Sequence, residues 1–523
     1  MNRFEQRSEL ATLENQKFDV LIVGGGINGC SAAQHLAADG YSVLLVEKND
    51  FASAASNRSS RLLHCGLRYL APDKSPLEFL LRPQKLRTAI TMASRSLRGR
   101  RELVSTNPRD LSCLNIAIPI YKDAAYSGWQ VDVGAALLRL LNAGGPAIDY
   151  RRQKPKVAAT RNPLISCLRA PQELSSIFSF RDYQFNSPER LCIDALLAAK
   201  RHGATVLNYT ELTKLNHLSG KHWEAVLEDR LTGHLTVNIK SKVLLNLSGV
   251  WVDKVNQLGT TETPPTRKVV AVKGTHMVVR IPENFCGHGI AGLNRENEHL
   301  FCLPWGDRHY IGSTETLYTG DIEDVRPTKE ELEFLLDEIN YMLPKLNITR
   351  GDIEFSWAGT RPITFDPNRA KGRRMPSSIF HPLQTEGMQD AIAVTWGWIM
   401  HHRETARELV GHVNRIIKPS SERTKLSHDS SSFPINTNTL ALVPEFPDIT
   451  LGAIRHIAEH EAPAHLEDIF LRRTPIGWHI RLSNDVVRRT AECVAPVLGW
   501  DETTMEKEIT HFETYMKEQH LSG

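Results

Sequence analysis

The chain has 523 residues, of which 41% are hydrophobic and 24% are charged, and its formal net charge is +3 at pH 7. That length exceeds what one hydrophobic core supports, so we expect two or three domains. The small net charge argues against a nucleic-acid-binding protein, and no apolar run approaches the roughly eighteen residues of a membrane span. Segment 1–17 lacks the apolar core of a signal peptide, so we expect no export. Eight scattered cysteines without a C-x-x-C pair predict reduced thiols in the cytoplasm and no zinc or other metal site.

The first predicted elements, within 18–30, are a buried strand and the start of a helix, joined by glycines in the G-x-G-x-x-G spacing. Glycine there allows a tight turn, close approach of a pyrophosphate and tight packing of helix on strand. A second strand at 42–47 ends in an acid that can accept from ribose hydroxyls. This order predicts a dinucleotide site for FAD or NAD, with an ordinary glycine-rich turn as the alternative. The expected cofactor-binding residues are Gly24, Gly26, Asn28, Gly29 and Glu47.

Small hydroxylated residues fill 51–60, and a denser group with His64, Arg68 and Tyr69 follows. Small side chains let the backbone approach a flat ring, and hydroxyls can bond its polar edge. A flexible linker is the alternative.

Segment 81–101 contains seven lysines and arginines and no acid, interleaved with apolar residues. A basic amphipathic helix of this kind can lie on an anionic membrane surface. A solvated basic face over a neighbouring core is the equally weighted alternative. The apolar helical stretch 131–141 could extend the same surface.

A strand, a helix that starts near Pro188 and another strand follow within 179–207. A hairpin at 224–239 and a separate apolar strand at 242–249 come next. This order predicts a dinucleotide-binding domain that is interrupted by a second domain and then resumed. Gly249 would then approach the same cofactor.

Strands at 268–280, 300–303 and 309–313 are expected to form one wall of a substrate pocket. A helix is predicted at 328–343, where Thr328 and Glu331 form a capping box. The remaining predicted elements are a strand at 391–395, a helix at 403–417, a linker at 418–439 and helices at 454–461, 466–472 and 483–499.

Several of these segments, taken together, resemble the FAD-dependent glycerol-3-phosphate dehydrogenases within the glycine/D-amino-acid oxidase superfamily. The resemblance implies FAD as cofactor, a substrate domain with an antiparallel sheet and a C-terminal helical domain. The blocks that carry it are 24–29 (GGGING), 59–70 (SSRLLHCGLRYL), 273–276 (KGTH), 303–305 (LPW), 311–314 (IGST), 359–362 (GTRP) and 471–477 (LRRTPIG).

The resemblance also assigns roles to particular positions. It implies further cofactor contacts at Ser59, Ser60, Leu63, His64, Gly249, Gly397 and Trp398, and substrate contacts at Arg68, Tyr69, His276, Arg361 and Arg374. The catalytic candidates are His64, His276 and Arg361. An arginine fork matches a phosphate bidentately, and histidine suits removal of a hydroxyl proton near neutral pH. Each histidine could instead be an orienting hydrogen-bond partner.

One segment departs from the family. The usual GGKLTTYR run is replaced at 396–403 by WGWIMHHR, so that Trp398 stands in place of a lysine. A cation there would stabilise the anionic reduced flavin, so its loss predicts a changed potential or an offset by His401 or His402. A bulkier pocket could also favour a larger polyol phosphate or a different α-hydroxy substrate over glycerol 3-phosphate.

The fold class expected from these observations is α/β, with an FAD-binding Rossmann-like domain (18–75, 175–260 and 350–417) interleaved with an α+β substrate domain (76–174 and 261–349). A linker (418–439) and a C-terminal helical domain (440–523) follow. The expected function is oxidation of glycerol 3-phosphate or a related hydroxyalkyl phosphate to the ketone, with electrons passed to quinone or another acceptor. The alternatives are an amine or amino-acid oxidase and a flavin-binding protein with a degenerate site. We also expect a cytoplasmic homodimer that attaches peripherally to the inner face of the membrane.

Overall fold

The structure is a computed structural model of the chain, and it describes residues 9–70, 83–124, 127–218, 222–259, 265–373, 375, 377–428 and 440–520. The strands are β1 (Lys17–Val23), β2 (Val43–Val46), β3 (Leu62–Leu63), β4 (Leu111–Tyr121), β5 (Arg151–Gln153), β6 (Leu174–Phe185), β7 (Thr205–Leu207), β8 (Thr210–Leu218), β9 (His222–Asp229), β10 (Thr236–Asn246), β11 (Val269–Val279), β12 (Gly289–Leu293), β13 (His299–Trp305), β14 (Arg308–Gly312), β15 (Thr316–Leu317), β16 (Ile353–Asp366), β17 (Arg369–Arg373), β18 (Ile379–Pro382) and β19 (Ala391–Thr395).

Helices separate many of the strands and form most of the described C-terminal segment. They are α1 (Ile27–Ala38), α2 (Pro83–Thr106), α3 (Gly128–Leu141), α4 (Pro155–Ala159), α5 (Pro188–Arg201), α6 (Val252–Gly259), α7 (Lys329–Met342), α8 (His402–Ile416), α9 (Leu451–His460), α10 (Leu466–Asp468), α11 (Ile476–His479), α12 (Asn484–Leu498) and α13 (Glu502–Gln519). Among the helices in the described ranges, none combines the length and apolar character needed to cross a bilayer.

The first sheet is built around a parallel core in the order β19, β10, β1, β2, β7. Six of the seven residues of β1 are buried, because α1 and its neighbours cover the sheet. Parallel strands present their carboxyl ends at one edge, so the turns after β1, β2, β10 and β19 lie together there. This edge is where the predicted dinucleotide loop falls.

The second sheet is mainly antiparallel, in the order β17, β16, β11, β14, β13, β12, β4, β6, β3. Its longest ladder joins β4 to β6. A buried apolar cluster forms where α7 packs on the strands, with Ile339 and Leu335 fully buried. The predicted capping box of α7 is confirmed, because Thr328 and Glu331 bond reciprocally to each other's backbone.

The chain divides into two compact units. The first comprises 1–57, 187–271 and 361–515, and the second comprises 58–186, 272–360 and 516–523. The C-terminal helices α9 to α12 group with the nucleotide-binding sheet in the first unit. The interleaved α/β architecture and the helical C-terminal segment expected from the sequence are both confirmed.

Two predicted elements differ from the structure, and one helix was not predicted. The apolar strand at 242–249 is not separate, because β10 runs without a break from Thr236 to Asn246 after the hairpin with β9. The predicted helix at 466–472 is an α-helical turn, α10, that continues as a π-helix over Ile469–Arg473. The long polar helix α13 was not predicted, because its apolar positions are too few to give a clear stripe.

Candidate active site

The turn between β1 and α1 depends on glycine at Gly24. A Cβ atom on Gly24 would lie 2.6 Å from the carbonyl oxygen of Leu247, and its φ of +110° disfavours other residues. A Cβ on Gly29 would lie 1.9 Å from the Gly24 carbonyl oxygen. These two glycines therefore serve close packing of the turn on β10 and of α1 on the turn.

Gly26 has a different surrounding. A Cβ there would contact only the Ser56 hydroxyl, at 3.3 Å. Gly26 is the N-cap residue of α1, its backbone is extended, and as a glycine it offers no side chain to cap the helix. The amide of Ile27 donates to that same hydroxyl at 2.9 Å. The start of α1 is thus shaped by Ser56, which belongs to the hydroxylated run 51–60, although the sequence did not indicate this contact with a residue 29 positions earlier.

Glu47 follows β2, as predicted, at the same edge of the sheet. One carboxylate oxygen accepts from the Gly25 amide at 2.7 Å, and the other accepts from the Asn49 amide at 2.9 Å. Burial raises the pKa of the Glu47 carboxyl, and these two amides partly oppose that rise. Glu47 therefore holds the glycine turn in shape, and the remaining lone pairs are what a ribose hydroxyl could use.

Gly249 begins a short 3₁₀ turn after β10. Its φ is +62°, and no atom would lie within 4 Å of a Cβ placed there. Two residues later, the Trp251 ring lies under the ammonium group of Lys48, 4.3 Å from its centroid. The ends of β2 and β10 are thereby joined by a cation–π contact beside an open backbone position.

The divergent segment at 396–403 forms the turn after β19. Gly397 has a φ of +125°, and the Trp396 and Trp398 rings meet edge to face with centroids 5.1 Å apart. The indole of Trp396 donates to the Met375 carbonyl at 2.6 Å. The turn leads into α8, whose first residues, including His402, are buried, so the positive end of this helix dipole lies at the turn.

Asn28 connects the two turns of this unit. Its amide nitrogen lies 3.4 Å from the Cβ position of Gly397, and its Oδ1 atom is buried without a hydrogen-bond partner. An unsatisfied buried acceptor at this place is the kind of group that a ligand donor satisfies.

Arg361 lies on β16, next to the same turn. The carbonyl of the following residue, Pro362, accepts from the Trp396 amide at 3.1 Å, and Thr364 and Thr395 share a hydrogen bond of 2.8 Å. The side chain of Arg361 is half-buried. The hydrogen bond between Pro362 and Trp396 therefore places the backbone of Arg361 beside the turn that contains Gly397 and Trp398.

In the second unit, Ser60 and His276 form a pair. The Ser60 hydroxyl lies 2.9 Å from Nε2 of His276, and the Ser60 carbonyl accepts from the Tyr310 hydroxyl at 2.9 Å. The His276 ring stacks on Trp357, 4.7 Å between centroids and 8° from parallel. A Cβ on Gly312 would lie 2.4 Å from the ring, so glycine is required there. His276 is 1% exposed and is fixed on both faces.

The remaining predicted residues of the 59–70 block follow Ser60 along the chain or directly precede it. Leu63 is fully buried on β3, Ser59 accepts from the Arg61 amide at 3.2 Å, and His64 and Tyr69 are partly exposed. Arg68 lies in the 3₁₀ turn Leu67–Leu70. Arg374 lies outside the described residues.

The 471–477 block has a structural role that the sequence did not reveal. Arg472 and Arg473 both bond the buried carboxylate of Asp50, which lies three residues after Glu47. Asn208 donates to the same carboxylate at 2.8 Å. Nearby, Arg190 pairs with Glu461 and Asp194. Burial by itself would lower the pKa of the Arg190 guanidinium, but the two carboxylates outweigh it and raise that pKa above its usual value. The C-terminal segment is thus tied to the nucleotide-binding sheet through buried ion pairs.

Residues 19–392 match the family of FAD dependent oxidoreductases, and residues 425–505 match the C-terminal domain of alpha-glycerophosphate oxidase. The chain belongs to the FAD-dependent oxidoreductase family. It is an enzyme of this family and uses FAD, as the resemblance implied.

Two similar proteins match this FAD-dependent oxidoreductase along nearly its whole length, and a third matches about four fifths of it. A glycerol-3-phosphate dehydrogenase from Synechocystis is 27% identical over 97% of each chain. The crystal structure of a glycerol-3-phosphate dehydrogenase from Bacillus halodurans with FAD has a TM-score of 0.70, 21% identity, and covers 98% of this chain and 97% of its own. The L-alpha-glycerophosphate oxidase of Mycoplasma pneumoniae with FAD has a TM-score of 0.58, 18% identity, and covers 79% and 98%.

The residues at the sheet edge fit FAD. Gly26 and Gly249 leave backbone open, α1 directs its N-terminus to the turn, and Asn28 carries a buried acceptor without a partner. These features suit a pyrophosphate and the polar groups of a large cofactor.

Proposed function

We propose that this oxidoreductase converts the secondary alcohol of glycerol 3-phosphate, or a closely related hydroxyalkyl phosphate, to the ketone, and passes electrons to quinone or another acceptor. The observation that carries the substrate proposal is the match of residues 425–505 to the C-terminal domain of alpha-glycerophosphate oxidase. The end-to-end similarity to a cyanobacterial glycerol-3-phosphate dehydrogenase supports the same substrate class.

Arg361 is proposed to bind the phosphate group. Its guanidinium can form two parallel hydrogen bonds with phosphate oxygens, which fixes the orientation of the substrate as well as its affinity. It is held on a strand whose next residue bonds the Trp396 amide. Arg68, Tyr69 and Arg374 are proposed as further substrate contacts.

The two histidines are proposed to have different roles. His276 is buried, stacked on Trp357 and bonded to Ser60, so we assign it the orientation of the 59–64 segment. His64 is partly exposed in that segment and is proposed to take the hydroxyl proton. When FAD is bound, it supplies the hydride acceptor for the carbon that is oxidised.

The electrostatic support near the flavin-binding turn is proposed to come from α8 rather than from a lysine. His401 and His402 are both buried at the start of this helix, and the His402 ring bonds the Ile399 carbonyl at 2.7 Å. A fixed helix terminus acts as a partial positive charge that needs no proton.

A membrane-surface location is proposed from two helices of the second unit that contact each other. α3 exposes Trp129, Val133 and Leu140, which lie on one face at helical spacing and are 57%, 60% and 74% exposed. The neighbouring α2 exposes Lys85, Arg87, Arg98 and Arg101. Its apolar face is buried against the protein, and Arg100 is buried with it. Exposed apolar side chains beside basic ones suit an anionic lipid surface.

A cytoplasmic location, a peripheral position on the inner face of the membrane and a homodimer stay predictions.

The decisive experiment is anaerobic reduction of the purified holoenzyme, followed by loss of flavin absorbance. Bleaching by glycerol 3-phosphate at millimolar concentration or below is expected. Bleaching only by amino acids would assign the chain to amine oxidation. Bleaching by none of these compounds, with dithionite still effective, would indicate a degenerate site.

A further inference from the structure

Two histidines and two glutamates meet at the inner side of α13, far along the chain from the residues assigned to FAD and substrate. His465 and Glu467 belong to the turn that starts α10, and Glu508 and His511 lie one helical turn apart on α13. Residues three apart on a helix project from the same face. The four side chains therefore converge from two separate segments.

The distances within this cluster are short. Nδ1 of His465 lies 2.9 Å and 3.1 Å from the two carboxylate oxygens of Glu508, and Nε2 of His511 lies 3.3 Å from Oε1 of Glu467. The ligand atoms of His465, Glu467 and His511 all lie within 4.8 Å of one another. Bonds of about 2.0–2.1 Å to a tetrahedral ion would bring such atoms to about 3.3 Å apart, so small side-chain rotations suffice.

A second, independent feature points to a ligand. Oε2 of Glu467 is buried without a hydrogen-bond partner, in a side chain that is only 7% exposed. A buried carboxylate oxygen normally has a partner, because leaving it unsatisfied costs on the order of 1–3 kcal/mol or more. A cation between Glu467 and the histidines would satisfy this oxygen.

The turn that carries His465 and Glu467 is held rigidly. The His465 amide donates to Asp468 at 3.0 Å, and the other face of the His465 ring meets Tyr209 edge to face. Asp468 is itself bonded by Arg472 and Tyr209. In contrast, the His511 side chain is 51% exposed. One side of the cluster is therefore preformed, and the other is open to solvent.

We propose that His465, Glu467, Glu508 and His511 bind one divalent transition-metal ion of the Zn²⁺ type. Two imidazoles and two carboxylates make a borderline ligand set that suits Zn²⁺, and the two carboxylates balance its charge. The cysteine pattern predicted no zinc site, and it could not reveal this one, because its ligands are histidine and glutamate brought together across 43 residues.

The ion would join α13 to the turn before the π-helix. That turn leads directly to Arg472 and Arg473, which bond Asp50. The site is thus structural, and it adds stability to the C-terminal segment without contact with substrate. This inference does not depend on which substrate the enzyme oxidises.

The test is isothermal titration of the chelator-treated holoenzyme with Zn²⁺, together with metal analysis after gel filtration. One equivalent is expected to bind and to raise the melting temperature. E467Q and H511N are each expected to weaken binding about tenfold or more. Flavin content and the melting temperature without metal report whether each variant folds, and H511N is the safer variant because its side chain is half exposed.

The matched control is H460A. His456 and His460 stack one helical turn apart on α9, with ring centroids 4.1 Å apart, and could bind Zn²⁺ themselves. H460A is expected to keep the one equivalent. The proposal is overturned if the wild type binds no Zn²⁺ at millimolar concentration, if H511N binds as tightly as the wild type, or if H460A alone abolishes binding.

Discussion

The Ser60 hydroxyl lies 2.9 Å from Nε2 of His276, although the two residues are 216 positions apart in the chain. Each belongs to a block that the sequence assigned to the flavin or to the substrate. Their hydrogen bond joins the 59–64 segment to β11. Ser60 therefore fixes one ring nitrogen of His276, while Trp357 fixes the plane of the ring.

This pair predicts separable effects of S60A, H276N and H64Q. H64Q removes the proposed proton acceptor. We expect it to lower kcat by roughly 10²–10⁴-fold and to abolish the acid limb of the pH profile. S60A should lower kcat less and leave the pH profile in place, and H276N should resemble S60A. Steady-state kinetics at fixed flavin content measures this, with H234A, an exposed histidine in the β9–β10 turn, as control. A lost acid limb in H276N but not in H64Q would reverse the two assignments.

Arg361 predicts a substrate effect in KM. R361A should raise the KM for glycerol 3-phosphate strongly, and R361K should recover only part of the affinity, because a lysine keeps the charge but loses the fork. R369A, at an exposed position on β17, is the matched control. An unchanged KM in R361A means that the phosphate binds elsewhere.

The glycines of the first turn predict different defects. G24A should prevent folding, because its Cβ would overlap backbone of Leu247. In G26A the backbone is allowed and the new Cβ would contact only the Ser56 hydroxyl, at 3.3 Å, so a shift of a few tenths of an ångström suffices and the apoprotein should fold with a nearly unchanged melting temperature. Its affinity for FAD should fall by about tenfold, or about 1.4 kcal/mol, if the pyrophosphate lies against Gly26. Flavin fluorescence titration measures this. Normal FAD affinity in G26A would place the pyrophosphate away from this residue.

His309 predicts a loss of stability in acid. Burial lowers its pKa to about 4, and the bond from Nε2 to the His288 carbonyl only partly opposes this, while Nδ1 is buried without a partner. The folded state therefore binds this proton less readily than the unfolded state. Stability is complete above the ordinary histidine pKa of about 6.5 and falls as the pH drops toward 4, by up to about 3 kcal/mol. Urea unfolding between pH 4 and 7 should show a shallower pH slope for H309Q than for the wild type. Equal slopes would mean that other groups cause the acid dependence.

The exposed face of α3 predicts lipid binding. The wild type should sediment with phosphatidylglycerol-containing liposomes at low salt, and W129S/V133S/L140S should not. V157S removes an apolar side chain that is 49% exposed on α4 and serves as control. Absence of sedimentation of the wild type would remove the membrane-surface proposal.

Local patterns predicted local structure well. The glycine turn, the Pro188 helix start and the α7 capping box each depend on residues a few positions apart, so their physical causes are visible in the sequence. Contacts between distant segments were not predictable in the same way. Ser56 at the start of α1 and Asp50 beneath Arg473 carry no motif of their own. Their roles depend on which turns the parallel strands bring to one edge.

The bond between Asp50 and the two arginines has a consequence for the modular appearance of the chain. A protein truncated at the 418–439 segment would lose both guanidinium groups that neutralise Asp50, together with the segment that covers this carboxylate three residues after Glu47. The C-terminal segment therefore supplies the positive charges that balance Asp50 after β2. We therefore expect that the C-terminal segment cannot be removed as an independent domain unless Asp50 is also replaced by an uncharged residue.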